Sequence, residues 1–247
     1  MNPSYDLDKI KFSIDQGSFD RAIALYEKDR VTKFTENSIG YSSIVLGGKP
    51  YMVFVSSRNY NRGSCNCYLG QNDRLCKHMI AVAIYAIKKG EKLNEEEKEI
   101  IEELICNENL GELSKEKLIE VKKAITYAMR FIKAYTGPSK YWFTYQGSLS
   151  EGCARLRKII SKLPISKQTT QLLVDVLIRL DKKIYKGGVD DSDATVAGLI
   201  EDTVALLQKY AELDRSSIRA FKKLCTVSTC FDWQEPLVKI FDEQEID

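Results

Sequence analysis

Residues 64–79 read SCNCYLGQNDRLCKHM. Cys65, Cys67, Cys76 and His78 fall in this one stretch with the spacing C-x-C-x8-C-x-H, and His78 is the only histidine of the chain. Three thiols and one imidazole form a complete tetrahedral ligand set for Zn²⁺. Ligands two positions apart fall on different sides of a helix, so neither pair can sit in a helix interior and each needs a bend or a helix end. Gly63 and Gly70 flank the first pair and supply it. The second pair opens the apolar run MIAVAIYAI at 79–87. There the free N–H groups of a helix N-terminus can donate to thiolate sulfur and offset its negative charge. Ordinary buried thiols beside a solvent histidine are the competing reading. Four correctly typed ligands in two pairs argue against it. The expectation is one structural zinc held by Cys65, Cys67, Cys76 and His78.

Outward from the ligands, the chain changes character near Gly90. SSIVL (42–46) and YMVFV (51–55) are rich in β-branched and aromatic residues, and Gly47-Gly48 between them signals a hairpin. SFDRAIALYEKD (18–29) starts with a Ser cap and aligns Ala22, Ile23, Leu25 and Tyr26 on one helical face. KHMIAVAIYAIKKG (77–90) is apolar almost all round, so it reads as a buried helix ended by Lys88, Lys89 and Gly90. Beyond it the period is helical throughout. The acidic NEEEKEIIEELI (94–105) comes first. SKEKLIEVKKAITYAMRFIKAYTGP (114–138) follows, with Ser114 as cap and Gly137-Pro138 as stop, and further helices begin near Ser150, Ser166, Asp191, Asp214 and Trp233. Leu172, Val176, Leu180 and Ile184 make one apolar stripe. Short connections predict helical hairpins. The fold class is α+β: a small zinc-bound β-hairpin and helix module over 1–90, then a mostly α-helical domain over 91–247.

The C-x-C, gap, C-x-H pattern after a β-hairpin and running into an apolar helix resembles the SWIM-type zinc finger, and Cys65, Cys67, Cys76 and His78 match its four ligand positions. The resemblance covers residues 18–90, from SFDRAIALYEKDRV through KPYMVFV to the helix. It implies a module that binds DNA or other proteins, as in transposases, helicase-like ATPases, kinases and recombination factors. The helical remainder loosely resembles the helical extensions of stand-alone prokaryotic SWIM proteins.

Charge adds a second asymmetry. Residues 1–90 hold 13 Lys and Arg against 8 Asp and Glu, a net +5, whereas residues 91–247 hold 24 against 27, a net −3. Arg58, Arg62, Arg74 and Lys77 sit in the loop and knuckle around the ligands and are the candidate nucleic-acid contacts. With seven cysteines, three of them clustered and none in regular disulfide-style spacing, no apolar leader and no run long enough for a bilayer, the expectation is a cytoplasmic protein without a membrane partner.

No catalytic class fits. His78 is taken by the metal, which removes Ser-His-Asp and Cys-His chemistry. LGGKP (46–50) lacks the first Gly and the Ser or Thr of a phosphate loop. The H-x-E with P-C-x-x-C pattern of zinc deaminases is absent. Four protein ligands leave no open position on the ion. DDSDATVAGLIED (190–202) has Val196 where a calcium loop needs Gly, so it reads as a helix N-terminus. Cys225 and Cys230 read as buried thiols at a helix end, Cys106 and Cys153 as core cysteines, and YWFTYQG (141–147) as packing between helices rather than as stacking platforms. The expected function is that of a non-enzymatic adaptor with a protein partner and no small-molecule substrate. Direct DNA or RNA binding through the basic knuckle is the alternative.

Overall fold

The computed structural model describes residues 2–101 and 103–245 and divides the chain into two units, Met1–Ile100 and Ile101–Asp247, each with its own buried cluster. In the first unit, α1 (Leu7–Phe12) and α2 (Gln16–Glu27) start at Asp6 and Asp15. The Asp15 carboxylate accepts the Ser18 N–H at 2.8 Å, so the cap expected at Ser18 lies three residues earlier. Four strands form an antiparallel sheet in the order β1 (Val31–Glu36), β2 (Gly40–Leu46), β3 (Pro50–Ser56) and β4 (Gly63–Cys65). The two middle strands and their Gly turn follow the sequence reading, and β1 and β4 extend the sheet on either side.

Period-two alternation decides which side chains meet the core. Tyr41, Ser43 and Val45 of β2 pair with Val55, Val53 and Tyr51 of β3, and Val53 pairs with Cys65 of β4. This puts Cys65 and Tyr51 on the face where Val53 and Val55 are buried. Behind the single turn α3 (Tyr68–Gln71), α4 (Lys77–Lys88) packs on β2 and β3, with α2 beside it. Met79 through Ile84 are all buried. Burying each Ile or Val side chain stabilises by about 1.5–3 kcal/mol. The half-exposed Lys89–Glu36 pair at 3.4 Å contributes less than about 1 kcal/mol. Apolar burial therefore holds α4 on the sheet.

The first unit runs past Gly90, because the next ten residues pack onto it. Leu93 is buried, and the Tyr26 hydroxyl donates to Glu91 O at 2.7 Å. Buried Lys11 donates to the carbonyls of Glu96 at 3.0 Å and Glu99 at 2.6 Å, and the Ile100 N–H goes to Gln16 Oε1 at 2.9 Å. Only one turn of the expected acidic helix forms, α5 (Glu95–Lys98), because these tertiary bonds take the groups that a longer helix would use. Glu102, within that expected helix, lies outside the described residues.

The second unit is built from α6 (Lys115–Ala128), α7 (Trp142–Ile160), α8 (Lys167–Tyr185), α9 (Thr195–Leu213) and α10 (Glu235–Glu245), with a 3-10 stretch over Arg215–Thr226. Helix α6 packs on α7, α8 on α9, and α7 also on α9. Ser114 caps α6 as read, but the helix stops at Ala128 rather than near Gly137. Side chains capture the following carbonyls: Ser148 Oγ donates to Phe131 O, Lys183 Nζ to Ile132 O and the Tyr145 hydroxyl to Lys133 O, at 2.8, 2.6 and 2.9 Å. Helix α7 begins at Trp142, ahead of Ser150. Ser166 forms a capping box with Thr169 at the start of α8. Asp191 accepts from the Val196 and Ala197 N–H groups, both at 2.8 Å, at the start of α9. Leu172, Val176 and Leu180 are buried as the stripe predicts. Cys153 is buried, whereas Cys106 and Cys230 are partly buried and Cys225 is exposed. The last two are therefore not the buried thiols expected. Of the aromatic stretch, Tyr145 is buried while Tyr141 and Phe143 face solvent. No helix among the described residues is long and apolar enough to cross a membrane.

Candidate metal centre

Cys65, at the end of β4, reaches the core face through its pairing with Val53. The chain then turns sharply, and Cys67 caps α3, its Sγ accepting the Gly70 N–H at 3.4 Å. A Cβ on Gly70 would lie 2.3 Å from Cys65 O, and one on Gly63 would lie 2.2 Å from Phe54 O. Both glycines are needed for close backbone approach around the first ligand pair. Cys76 is the N-cap of α4, and His78 is the second residue of that helix. The end of β4 and the turn into α3 thus deliver one ligand pair, and the N-terminus of α4 delivers the other.

The ligand atoms of Cys65, Cys67, Cys76 and His78 all lie within 4.8 Å of one another, and all four residues are buried. His78 Nδ1 is 3.7 Å from Cys65 Sγ and 3.9 Å from Cys76 Sγ. A zinc tetrahedron with bonds of about 2.0–2.3 Å has edges of roughly 3.3–3.8 Å, and the donor atoms lie close enough to that spacing to draw in around one ion. The Nδ1 atom faces the sulfurs. Nε2 is buried without a hydrogen-bond partner, and the Tyr51 ring stacks on the imidazole with centroids 4.0 Å apart. Cys65 and Cys76 crowd each other: the hydrogen bond between them holds the Cys76 thiol below its usual range and pushes Cys65 up. Burial resists the lowering of Cys76 and adds to the rise of Cys65, while His78 and the Met79 amide help lower Cys76. With a divalent ion bound, all three sulfurs are thiolates, and the closed set gives the ion a structural part.

Of the four candidate contacts, Arg58, Arg62 and Arg74 are exposed and Lys77 is half-buried. Arg74 and Lys77 line one cleft of about 530 Å³ beside the metal site, with Tyr51, Tyr68 and Leu75. Arg58 and Arg62 lie in the β3–β4 connection and are not part of that lining. Arg21 of α2, far away in sequence, also lines the cleft. Sequence reading missed it, because nothing local marks a helix-face arginine as a neighbour of the knuckle. Tyr51 was equally unremarked, although strand alternation places it with Val53 and Cys65 on the core face.

A sheet edge and a helix N-terminus that close a buried Cys3His shell define a zinc finger. Residues 53–87 match the family model of the SWIM zinc finger, so the chain carries a SWIM zinc finger there, with one structural zinc site. No curated protein and no solved structure matches the chain.

Proposed function

We propose that the chain is a non-enzymatic adaptor, in which zinc holds open a cleft that receives an acidic, partly apolar segment of a protein partner. The observation carrying this is the mixed lining: Arg21, Arg74 and Lys77 share the cleft with Ile14, Leu69 and Leu75. Asp15 lines it as well, which a phosphate backbone would meet with repulsion. Apolar contact in the middle and charge around it is the usual anatomy of a protein interface. The closed ligand set offers no position for a substrate, which supports a binding rather than a catalytic part. The test is to identify partners by co-purification from the native host and reconstitute each with purified protein. The double variant Arg74→Glu, Lys77→Glu should lose the reconstituted complex while keeping its zinc. Undiminished binding by the variant would overturn the reading.

A second reading, direct DNA or RNA binding by the knuckle, draws on exposed Arg58, Arg62 and Arg74 and on Lys77, the first residue of α4. It requires that the double change Arg62→Glu, Arg74→Glu abolish binding at low salt without releasing zinc.

A further inference from the structure

The helical unit carries a surface that the zinc module does not explain. Residues 121–150 hold five Lys and Arg, seven aromatic residues and no Asp or Glu, within a half of the chain whose net charge is −3. Residues 182–189 add three more lysines and again no acid. The fold stitches these two segments side by side. The Tyr135 N–H donates to Gly188 O at 2.9 Å and Lys183 Nζ to Ile132 O at 2.6 Å, and just beyond the second segment Asp190 Oδ2 accepts from Trp142 Nε1 at 3.0 Å.

Three large aromatics on these segments stay outside the core, although Tyr145 is buried. Phe143 is 82% exposed, Tyr185 70% and Tyr141 54%. A lysine ammonium lies over two of these rings, Lys140 over Tyr141 at 5.0 Å and Lys186 over Tyr185 at 5.4 Å. A single exposed ring needs no explanation. Three rings, two of them paired with cations, on two bonded segments stripped of carboxylates do need one. Of the acids that follow the second segment, Asp190 is engaged with Trp142 and Ser192, Asp191 with the Val196 and Ala197 N–H groups, and Asp193 with the Thr195 N–H.

We infer that this face of the helical unit binds single-stranded nucleic acid, with bases stacking on Tyr141, Phe143 and Tyr185 and phosphates met by Lys140 and Lys186. The chemistry is that of sequence-tolerant single-strand recognition, in which aromatic rings take base faces and nearby cations track the backbone. A duplex hides its base faces, so it lacks the stacking half of the interaction. The site goes beyond the adaptor reading and does not depend on it.

The test uses the full zinc-loaded chain and fluorescein-labelled oligo(dT) and oligo(U) of about 20 nucleotides, followed by anisotropy at low salt. Saturable binding that weakens as salt rises is expected. Tyr141→Ala, Phe143→Ala should lower affinity by at least about tenfold, since each stacked base is worth roughly fivefold or more. Both rings are exposed, so the variant should melt like the parent. Lys140→Glu, Lys186→Glu should reduce the slope of log affinity against log salt by about 1.4, the share of two phosphate contacts on a single strand. The knuckle variant Arg62→Glu, Arg74→Glu should bind as the parent does. Absence of binding at low salt overturns the inference, as does loss of binding in the knuckle variant with the aromatic variant unaffected. So does capture by phosphatidylserine-containing vesicles without capture of the oligonucleotides.

Discussion

The Tyr51 ring lies on the His78 imidazole, centroids 4.0 Å apart and planes 21° apart. Metal-bound histidines are usually oriented by a hydrogen bond from the second ring nitrogen. Here Nε2 is buried and makes none, so the stacked tyrosine fixes the ring instead. Tyr51→Ala should weaken zinc affinity about tenfold, the lower end of the range for supporting groups. Tyr51→Phe keeps the ring and should keep the affinity. Competition with a chromophoric chelator measures both, and equal affinities for the two variants would remove Tyr51 from the site.

Protein purified without added metal should carry one zinc per chain by elemental analysis, on the buried Cys3His set. Chelation, or Cys76→Ser, should make residues 1–100 protease-sensitive and leave the helical unit resistant, because the two have separate cores. Zinc contributes on the order of 10 kcal/mol in small fingers. That figure is an upper bound here, since the first unit also buries Phe19, Tyr41 and Ile80. A Cys76→Ser protein whose first unit resists protease as the parent's does would show that the metal is dispensable for this fold.

Thiol labelling should separate the cysteines by environment. Burial pushes the Cys153 thiol up to about 12, so it stays protonated where ordinary thiols ionise. Because that value exceeds the unfolded one, the stability tied to the neutral thiol is intact at neutral pH. It is lost as pH rises toward 12. At about pH 8, exposed Cys225 should be alkylated first. Cys65, Cys67 and Cys76 should react only after chelation, and Cys153 only after denaturation. Peptide mass spectrometry resolves the order, and early modification of Cys153 would contradict its burial.

Asp181 anchors the C-terminal segment. Its buried Oδ1 accepts the Cys230 N–H at 2.8 Å and the Trp233 Nε1–H at 2.9 Å. Asp181→Ala leaves both donors without this partner and should cost about 3 kcal/mol. A red-shifted tryptophan fluorescence and a lower melting temperature for the helical unit are the expected signs. An unchanged melt would mean that the segment is held by other contacts.

The ligand set was legible because its chemistry is local: four residues of the right types, spaced in pairs, need no knowledge of the rest of the chain. The hairpin and α4 were legible for the same reason, through period two, a Gly-Gly turn and an unbroken apolar run. What escaped was decided by distant partners. Helix α6 ends early because Ser148, Tyr145 and Lys183 take its next carbonyls. The acidic stretch after Asn94 stays one turn long because Lys11 and Gln16 capture its backbone. Strand β4 is three residues long, too short to show alternation. Of the residues lining the cleft, Arg74 and Lys77 stood out because they adjoin the ligands in sequence, while Arg21 arrives through tertiary packing.

The buried Lys11 side chain has a consequence for modularity. Its ammonium sits over the Phe19 ring and donates hydrogen bonds to two carbonyls beyond Gly90. A cassette cut where the sequence pattern changes would strip those acceptors from a cation that is almost wholly out of water, and would bare Leu93 as well. The piece that can be transplanted intact into another chain is therefore longer than the finger and its helix. It ends at Ile100, and any recombination that moved this zinc module between proteins would have to carry the acidic strap along with it.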